Sequence, residues 1–259
     1  GDYGTALIIA GSNGMMGAAV LATKAALRSG AGKVNALVPQ IGYNIIQTNA
    51  TEATCLVSGE NYITKISNWA SCDSIGTGPG LGTHEYTIKA FTDFIEAVKQ
   101  PLVLDADALT MLGKHQELIS KVPANSILTP HPKEFERMFG TTANSMQQLE
   151  LARTQAMRYN IFIVLKGHHT AICTPEGECW YCTDGNAGMA TGGSGDVLTG
   201  IITGLLAQGY SSYRAAIIGV YLHARAGDLA AAKQGKHGLI AGDIINNMGE
   251  VWLEIESFL

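Results

Sequence analysis

Short apolar runs alternate along the chain with longer stretches in which apolar residues recur every three or four positions. The short runs cover 6–10, 34–38, 74–76, 102–104, 126–128 and 161–165. They are nearly continuous rather than alternating with polar residues, the pattern of strands buried on both faces. A hairpin follows, pairing 171–174 with 179–182 about a turn at Pro175-Glu176-Gly177. The helical period predicts helices over 18–29, 85–98, 133–139, 145–159, 197–208 and 213–233, and a terminal one from Ala241. Strand–helix alternation of this kind predicts an α/β fold with a mostly parallel sheet covered on both faces. No repeat, low-complexity tract or linker divides the chain, so 1–259 is read as a single domain. In such sheets ligands bind beyond the carboxyl ends of the strands, where most of the distinctive glycine and polar motifs fall.

The stretch from Asn186 to Gly200 carries the sharpest chemistry. Gly192, Gly193, Ser194 and Gly195 lead into Asp196, and a helical apolar pattern begins at Val197. A helix opening on glycines presents unpaired backbone N–H groups with no side chains in the way, which is an anion site suited to phosphate. A carboxylate at its lip repels phosphate, but it can take the proton from a hydroxyl that attacks one. This pairing points to phosphoryl transfer onto a small alcohol.

Other motifs follow predicted strands. Gly11-Ser-Asn-Gly14-Met-Met-Gly17 imitates a dinucleotide-binding loop and allows close backbone approach, with Ala18 just inside the helix. The second strand, however, runs into Pro39-Gln40 without the acidic residue that would hold a ribose. Gly76-Thr-Gly-Pro-Gly80-Leu-Gly82 is either a ligand loop or a tight connection. Asp105 and Asp107 follow a buried strand; Asp107 is read as the cap of a short helix and Asp105 as support for a substrate site, ahead of the alternative that two carboxylates so spaced join a magnesium site through water. Pro130 and Pro132 fix the backbone around His131, which can then donate to a phosphate or sugar hydroxyl. Glu134 either holds the water shell of a metal or pairs near the start of its helix. Lys166 ends a buried strand and can reach phosphate as a point charge, while Gly167 lets a nucleotide approach closely.

Composition narrows the choice of partners. With 46% hydrophobic and 15% charged residues, a large core or subunit contacts are expected. The net charge is −5 without a basic block, so neither nucleic acid nor an anionic membrane is an expected partner. No apolar run approaches the roughly 20 residues of a membrane span, and no signal peptide is evident. Five cysteines do not form a secreted disulfide pattern, and a cytoplasmic setting is expected. Cys179-Trp-Tyr-Cys182, near His168, His169 and Cys173, makes a zinc site conceivable; incidental thiols are the preferred reading.

Taken together and in this order, the blocks Ala10-Gly-Ser, Gly78-Pro-Gly-Leu-Gly, Leu128-Thr-Pro-His-Pro-Lys-Glu, Leu165-Lys-Gly-His-His-Thr and Asn186-Ala-Gly-Met-Ala-Thr-Gly-Gly-Ser-Gly-Asp-Val-Leu-Thr-Gly resemble the ADP/ATP-dependent NAD(P)H-hydrate dehydratase family. That family lies within the ribokinase-like superfamily, so the resemblance implies a three-layer α/β/α fold. It also implies repair of hydrated NADH and NADPH: a nucleotide phosphorylates the added ring hydroxyl, and phosphate then leaves. The enzyme class implied is a carbon–oxygen lyase.

By resemblance, Asp196 is the base and Gly193 and Gly195 stabilise the transferring phosphoryl. Gly195 and the stretch Lys166, Gly167, His168, His169 and Thr170 line the nucleotide site. Ala18, Gly80, His131 and Asp196 contact the hydrated dinucleotide. ADP is the expected donor over ATP, with Mg2+ accompanying it. A homo-oligomer, often a tetramer, and an N-terminal epimerase domain in a longer protein are further expectations. Ser194 stands where many members have threonine, which keeps the hydroxyl. The nearest alternative is a small-alcohol kinase of the same superfamily, resembling hydroxyethylthiazole kinase; a non-catalytic nucleotide sensor would have no need of Asp196.

Overall fold

The strand pattern resolves into one sheet in the computed structural model, which describes residues 3–257. Among these residues the strands are β1 (Thr5–Ile9), β2 (Lys33–Val38), β3 (Thr54–Val57), β4 (Ser74–Thr77), β5 (Leu102–Leu104), β6 (Ile127–Leu128), β7 (Phe162–Leu165), β8 (Thr170–Cys173) and β9 (Cys179–Cys182). Their order across the sheet is β3-β2-β1-β4-β5-β6-β7-β8-β9. The first seven run parallel, as between β1 and β4, while β8 and β9 add an antiparallel hairpin.

Successive strand residues point to opposite layers, as the period of two requires. Leu7, Ile9, Ile75, Leu102, Leu104, Leu128 and Ile163 share one core. That core is covered by α3 (Glu85–Ala97), α4 (Ala106–Lys114), α5 (Pro132–Phe139) and α6 (Ser145–Tyr159), through residues such as Phe91, Leu109, Phe135 and Ala152. Val103, Ile127, Phe162 and Val164 face the other way, with Ala6 and Ile8 at the neighbouring end of the sheet. There they meet α1 (Met16–Arg28), α7 (Ser194–Ala207), α8 (Ser212–Gln234) and α9 (Ala241–Glu256). The result is the expected three-layer α/β/α arrangement.

Helix α7 crosses the centre of the sheet, and its glycines explain how. A side chain at Gly200 would run into the Ala22 carbonyl, and one at Gly204 into Ser29 Oγ. The α1–α7 crossing is therefore backbone against backbone, closed by Ala22, Ala25 and Ala26. On the sheet side, Ser74 Oγ donates to the Thr203 carbonyl at 2.8 Å. The N-terminus of α7 is thus seated by packing along its whole length.

Two elements had no predictive signal. Strand β3 is a half-exposed edge, and α2 (Tyr43–Asn49) buries only Ile46. Helix α7 begins at Ser194, three residues before the predicted start, because its first turn consists of the glycine-rich loop itself.

Candidate active site

The motif-bearing loops converge at the carboxyl ends of the parallel strands. The order reverses between β1 and β4, the point where a crevice opens in sheets of this kind. The two glycine loops that follow these strands are latched together. Gly11 N donates to the Pro79 carbonyl at 2.9 Å, and Ser12 Oγ donates to the Gly80 carbonyl at 2.9 Å. Gly80 has a φ of +58° and a Cβ there would lie 3.0 Å from the Ala18 Cβ. Ala18 and Gly80, both assigned to the hydrated dinucleotide by resemblance, are therefore neighbours.

Asp107 does not take the capping role predicted for it. Asp105, not Asp107, occupies the N-cap position of α4, and Ala106 between them sits at a φ of +48°. Such a backbone is sparsely populated for a residue with a side chain. Here it separates the two carboxylates: Asp107 Oδ2 accepts from Gly82 N at 2.8 Å, while Asp105 turns inward and is only 1% exposed. Asp105 Oδ1 receives Lys166 Nζ at 2.7 Å, and Oδ2 receives the Thr199 hydroxyl at 2.8 Å. Burial alone would raise the Asp105 pKa, but the charge and hydrogen bond of Lys166, with help from Thr199, leave it lowered. Asp105 is thus a buried, ionised partner for Lys166.

His131 and Glu134 form a capping box on α5. His131 Nδ1 accepts from Lys133 N at 3.1 Å and Glu134 N at 3.3 Å, and Glu134 Oε2 accepts from His131 N at 2.8 Å. Glu134 Oε1 lies 3.4 Å from His131 Nε2, and the side chain is buried. Both carboxylate oxygens are engaged in fixing His131, which favours the predicted pairing role of Glu134 over a metal role. Among the described residues no three His, Cys, Asp or Glu side chains gather to hold a metal. The zinc candidates are likewise dispersed. Cys173 and Cys179 face each other across the hairpin with sulfurs 3.1 Å apart, and His168 and His169 lie on the turn before β8, at its opposite end.

A cavity of about 650 Å³ opens beside the start of α7. One wall is the turn after β7, including Lys166, Gly167, His168 and Thr170, and His131 lines it too. Asn186 and Thr191 belong to a second wall, Ser194 and Gly195 to its floor, and His223 of α8 to its back. Asp228 holds the second wall: its carboxylate accepts from Gly185 N and Asn186 Nδ2, both at 2.9 Å. His169 does not line the cavity, and a second hollow of about 610 Å³, at the amino ends of the strands beside Asp73 and Pro101, contains none of the predicted site residues.

The α7 N-terminus forms the floor between this cavity and the latched glycine loops. Gly193 sits at a φ of +88°, and a side chain there would strike Leu21, one turn beyond Ala18 on α1. Gly195 faces the other side: a Cβ would come within 3.1 Å of Lys166 Nζ and 3.4 Å of Asp105 Oδ2. The amides of Gly192, Gly193, Gly195 and Asp196 have no acceptor among the described residues, which leaves four donors unpaired where a helix dipole already favours negative charge. Asp196 stands among them with its pKa raised to about 7, chiefly by burial and next by Asp105, against the opposing pull of Lys166. A carboxylate poised at this value can both accept and hold a proton near neutral pH.

The sequence matches a known family. The family model described as NAD(P)H-hydrate dehydratase covers residues 6–249. The chain belongs to the NAD(P)H-hydrate dehydratase family. It is 38% identical to the bifunctional NAD(P)H-hydrate repair enzyme Nnr of Moorella thermoacetica, across 99% of this chain and 50% of that protein. The chain thus spans about half the length of that relative. It is 36% identical to the ADP-dependent (S)-NAD(P)H-hydrate dehydratase of Bacillus subtilis, across 99% of this chain and 91% of that one. The solved B. subtilis ADP/ATP-dependent NAD(P)H-hydrate dehydratase, co-crystallised with ATP/Mg2+, superposes with a TM-score of 0.84 at 34% identity, covering 98% and 92% of the two chains. Arabidopsis thaliana ribokinase, at 13% identity and a TM-score of 0.60 over 94% and 98%, shares the fold, so the architecture is ribokinase-like.

Two residues of the site escaped the reading of the sequence. His223 is a lone histidine within an alanine-rich helix, and Thr199 reads as one more small residue on α7. For His223 the only available cue was a polar residue breaking the apolar stripe between Val220 and Ala224.

Proposed function

We propose that this chain dehydrates hydrated NADH or NADPH at the expense of a nucleotide, with ADP as the preferred donor. The observation that carries the reading is the junction at the start of α7, where four unpaired amides surround a carboxylate of raised pKa beside a nucleotide-sized cavity. The nucleotide lies in the cavity, with Gly195 and the stretch from Lys166 to Thr170 against it. The hydrated ring lies on the Ala18–Gly80 side, with His131 positioned at the rim.

In the reaction, Asp196 takes the proton of the ring hydroxyl as its oxygen attacks the terminal phosphorus of ADP. The bond from that phosphorus to the bridging oxygen breaks and AMP departs. The amides of the Gly192–Gly195 loop hold the charge that develops on the phosphoryl oxygens. The ring nitrogen's lone pair then expels phosphate, a far better leaving group than hydroxide, and loss of the adjacent proton restores the dihydronicotinamide. The overall change is loss of water, which classes the enzyme as a carbon–oxygen lyase.

The residues present do not build a metal cage, since Asp105 is committed to Lys166 and Glu134 to His131. Mg2+ would accompany the nucleotide phosphates, and no step is assigned to it.

The test is absorbance at 340 nm with hydrated NADH, Mg2+ and either ADP or ATP. A nucleotide-dependent rise, faster with ADP, is expected. No rise with folded protein and verified substrate would overturn the reading in favour of a kinase acting on a small alcohol.

A further inference from the structure

His223 Nε2 lies 2.9 Å from the carbonyl oxygen of Ser194 and 3.1 Å from its hydroxyl oxygen. The carbonyl has no hydrogen to give, so the contact is a hydrogen bond only when Nε2 carries the proton. Burial holds the His223 pKa down to about 4, and nearby Lys166 adds to the effect. The imidazole is therefore neutral, with its single hydrogen on Nε2 and directed at Ser194. It has no lone pair on that nitrogen with which to accept from the serine.

The consequence falls on the serine. The Ser194 hydroxyl can accept from His223 but cannot donate to it. Its own hydrogen has no other acceptor among the described residues. Ser194 is only 7% exposed, and what is exposed lines the cavity floor between Gly193 and Gly195. Both the serine and the histidine line that cavity.

We infer that His223 is a positioning residue that makes the Ser194 hydroxyl a dedicated donor to the phosphoryl group in transfer. Ser194 then adds a side-chain hydrogen bond to those of the loop amides, and His223 acts only through Ser194. The inference rests on the phosphoryl-transfer reading of the site.

The test uses four single variants and one double variant, with kcat followed at 340 nm and ADP affinity measured by calorimetry. Ser194→Ala is expected to lower kcat on the order of tenfold to a hundredfold, with the ADP Kd within about threefold of the unaltered chain. Ser194→Thr should retain most of the activity. His223→Leu should lower kcat to a similar extent. His223→Gln, whose amide can still donate, should recover a substantial part of it. In the Ser194→Ala/His223→Leu double variant the losses should not multiply, because both substitutions remove one interaction. Losses that do multiply, full kcat in folded His223→Leu, or a drop in ADP affinity that matches the drop in rate would each overturn the proposal. If His223→Leu does not fold, His223→Gln against Ser194→Ala decides: activity no better than that of Ser194→Ala overturns it. A wild-type chain that shows no nucleotide-dependent turnover instead sinks the functional reading, whereas an active wild type with His223→Leu at full rate sinks this inference alone.

Discussion

Lys166 Nζ sits 2.7 Å from Asp105 Oδ1, directly behind the backbone of Gly195. The lysine predicted to reach for phosphate is thus anchored from below by a buried carboxylate, and the pair forms the electrostatic setting of Asp196. Asp105 pushes the Asp196 pKa up and Lys166 pulls it down. In the proposed reaction Asp196 works in its ionised form. With its pKa at about 7, kcat/KM should rise about tenfold per pH unit below that value and level off above it. Asp105→Asn removes the repelling charge and leaves the cation, so the limb should move to lower pH. A pH–rate profile of both proteins checks this, and an unmoved limb would remove Asp105 from the account.

Asp196→Asn should abolish turnover while sparing nucleotide affinity. It should also alter stability in a pH-dependent way. The folded chain raises the Asp196 pKa from 3.8 to about 7, so the native state binds this proton more tightly than the unfolded chain. The associated stability is complete below pH 4 and is lost as pH rises through 7. The variant escapes that loss. Its Tm should exceed that of the unaltered chain at pH 8, by an amount corresponding to a few kcal/mol at most, and match it at pH 4. Equal Tm values at pH 8 would contradict the raised pKa.

Gly193→Ala should damage both folding and activity. The positive φ is unfavourable for alanine, and the methyl group meets Leu21. A loss of about 2–4 kcal/mol is expected in denaturant unfolding, from backbone strain and overpacking together. Gly192→Ala has open space and no such φ, so it should cost under about 1 kcal/mol. Similar losses for the two would show that the contact with α1 is unimportant.

Gly80→Ala should separate the two halves of the site. Its Cβ would press to 2.6 Å from the Met15 carbonyl and 3.0 Å from Ala18. The disturbance lies on the proposed dinucleotide side, so KM for the hydrated substrate should rise about tenfold or more while the ADP Kd stays unchanged. A weaker ADP affinity with unchanged KM would reverse the assignment of the two sides.

The sheet was legible in the sequence because a strand buried on both faces has little choice of composition. The runs at 102–104 and 161–165 have no polar face, and both appear as central strands. Strand β3 escaped because an edge is half solvated, and α2 because a helix with one buried residue has no apolar stripe. At the site, glycine spacing revealed the α7 loop, and two prolines revealed the rigid setting of His131. Ala18 and Gly80 were brought in only by resemblance. Asp105 and Asp107 were recognised, but their division of labour depends on the left-handed Ala106, for which alanine gives no sequence cue. The partnership of Ser194 with His223 spans 29 residues and two helices, and no local pattern encodes it.

The latch between the loops after β1 and β4 also constrains how such an enzyme can change its acceptor. Gly11 is bound to the Pro79 carbonyl by its backbone N–H and Ser12 to the Gly80 carbonyl by its hydroxyl, and Asn13 N donates to the Asn61 carbonyl at 3.0 Å. An insertion in either loop would break the register of its neighbour, so new acceptor preferences would require paired changes. The turn carrying exposed His168 and His169 is free of that linkage, so on the proposed placement of the nucleotide donor preference is the property open to drift by single substitutions.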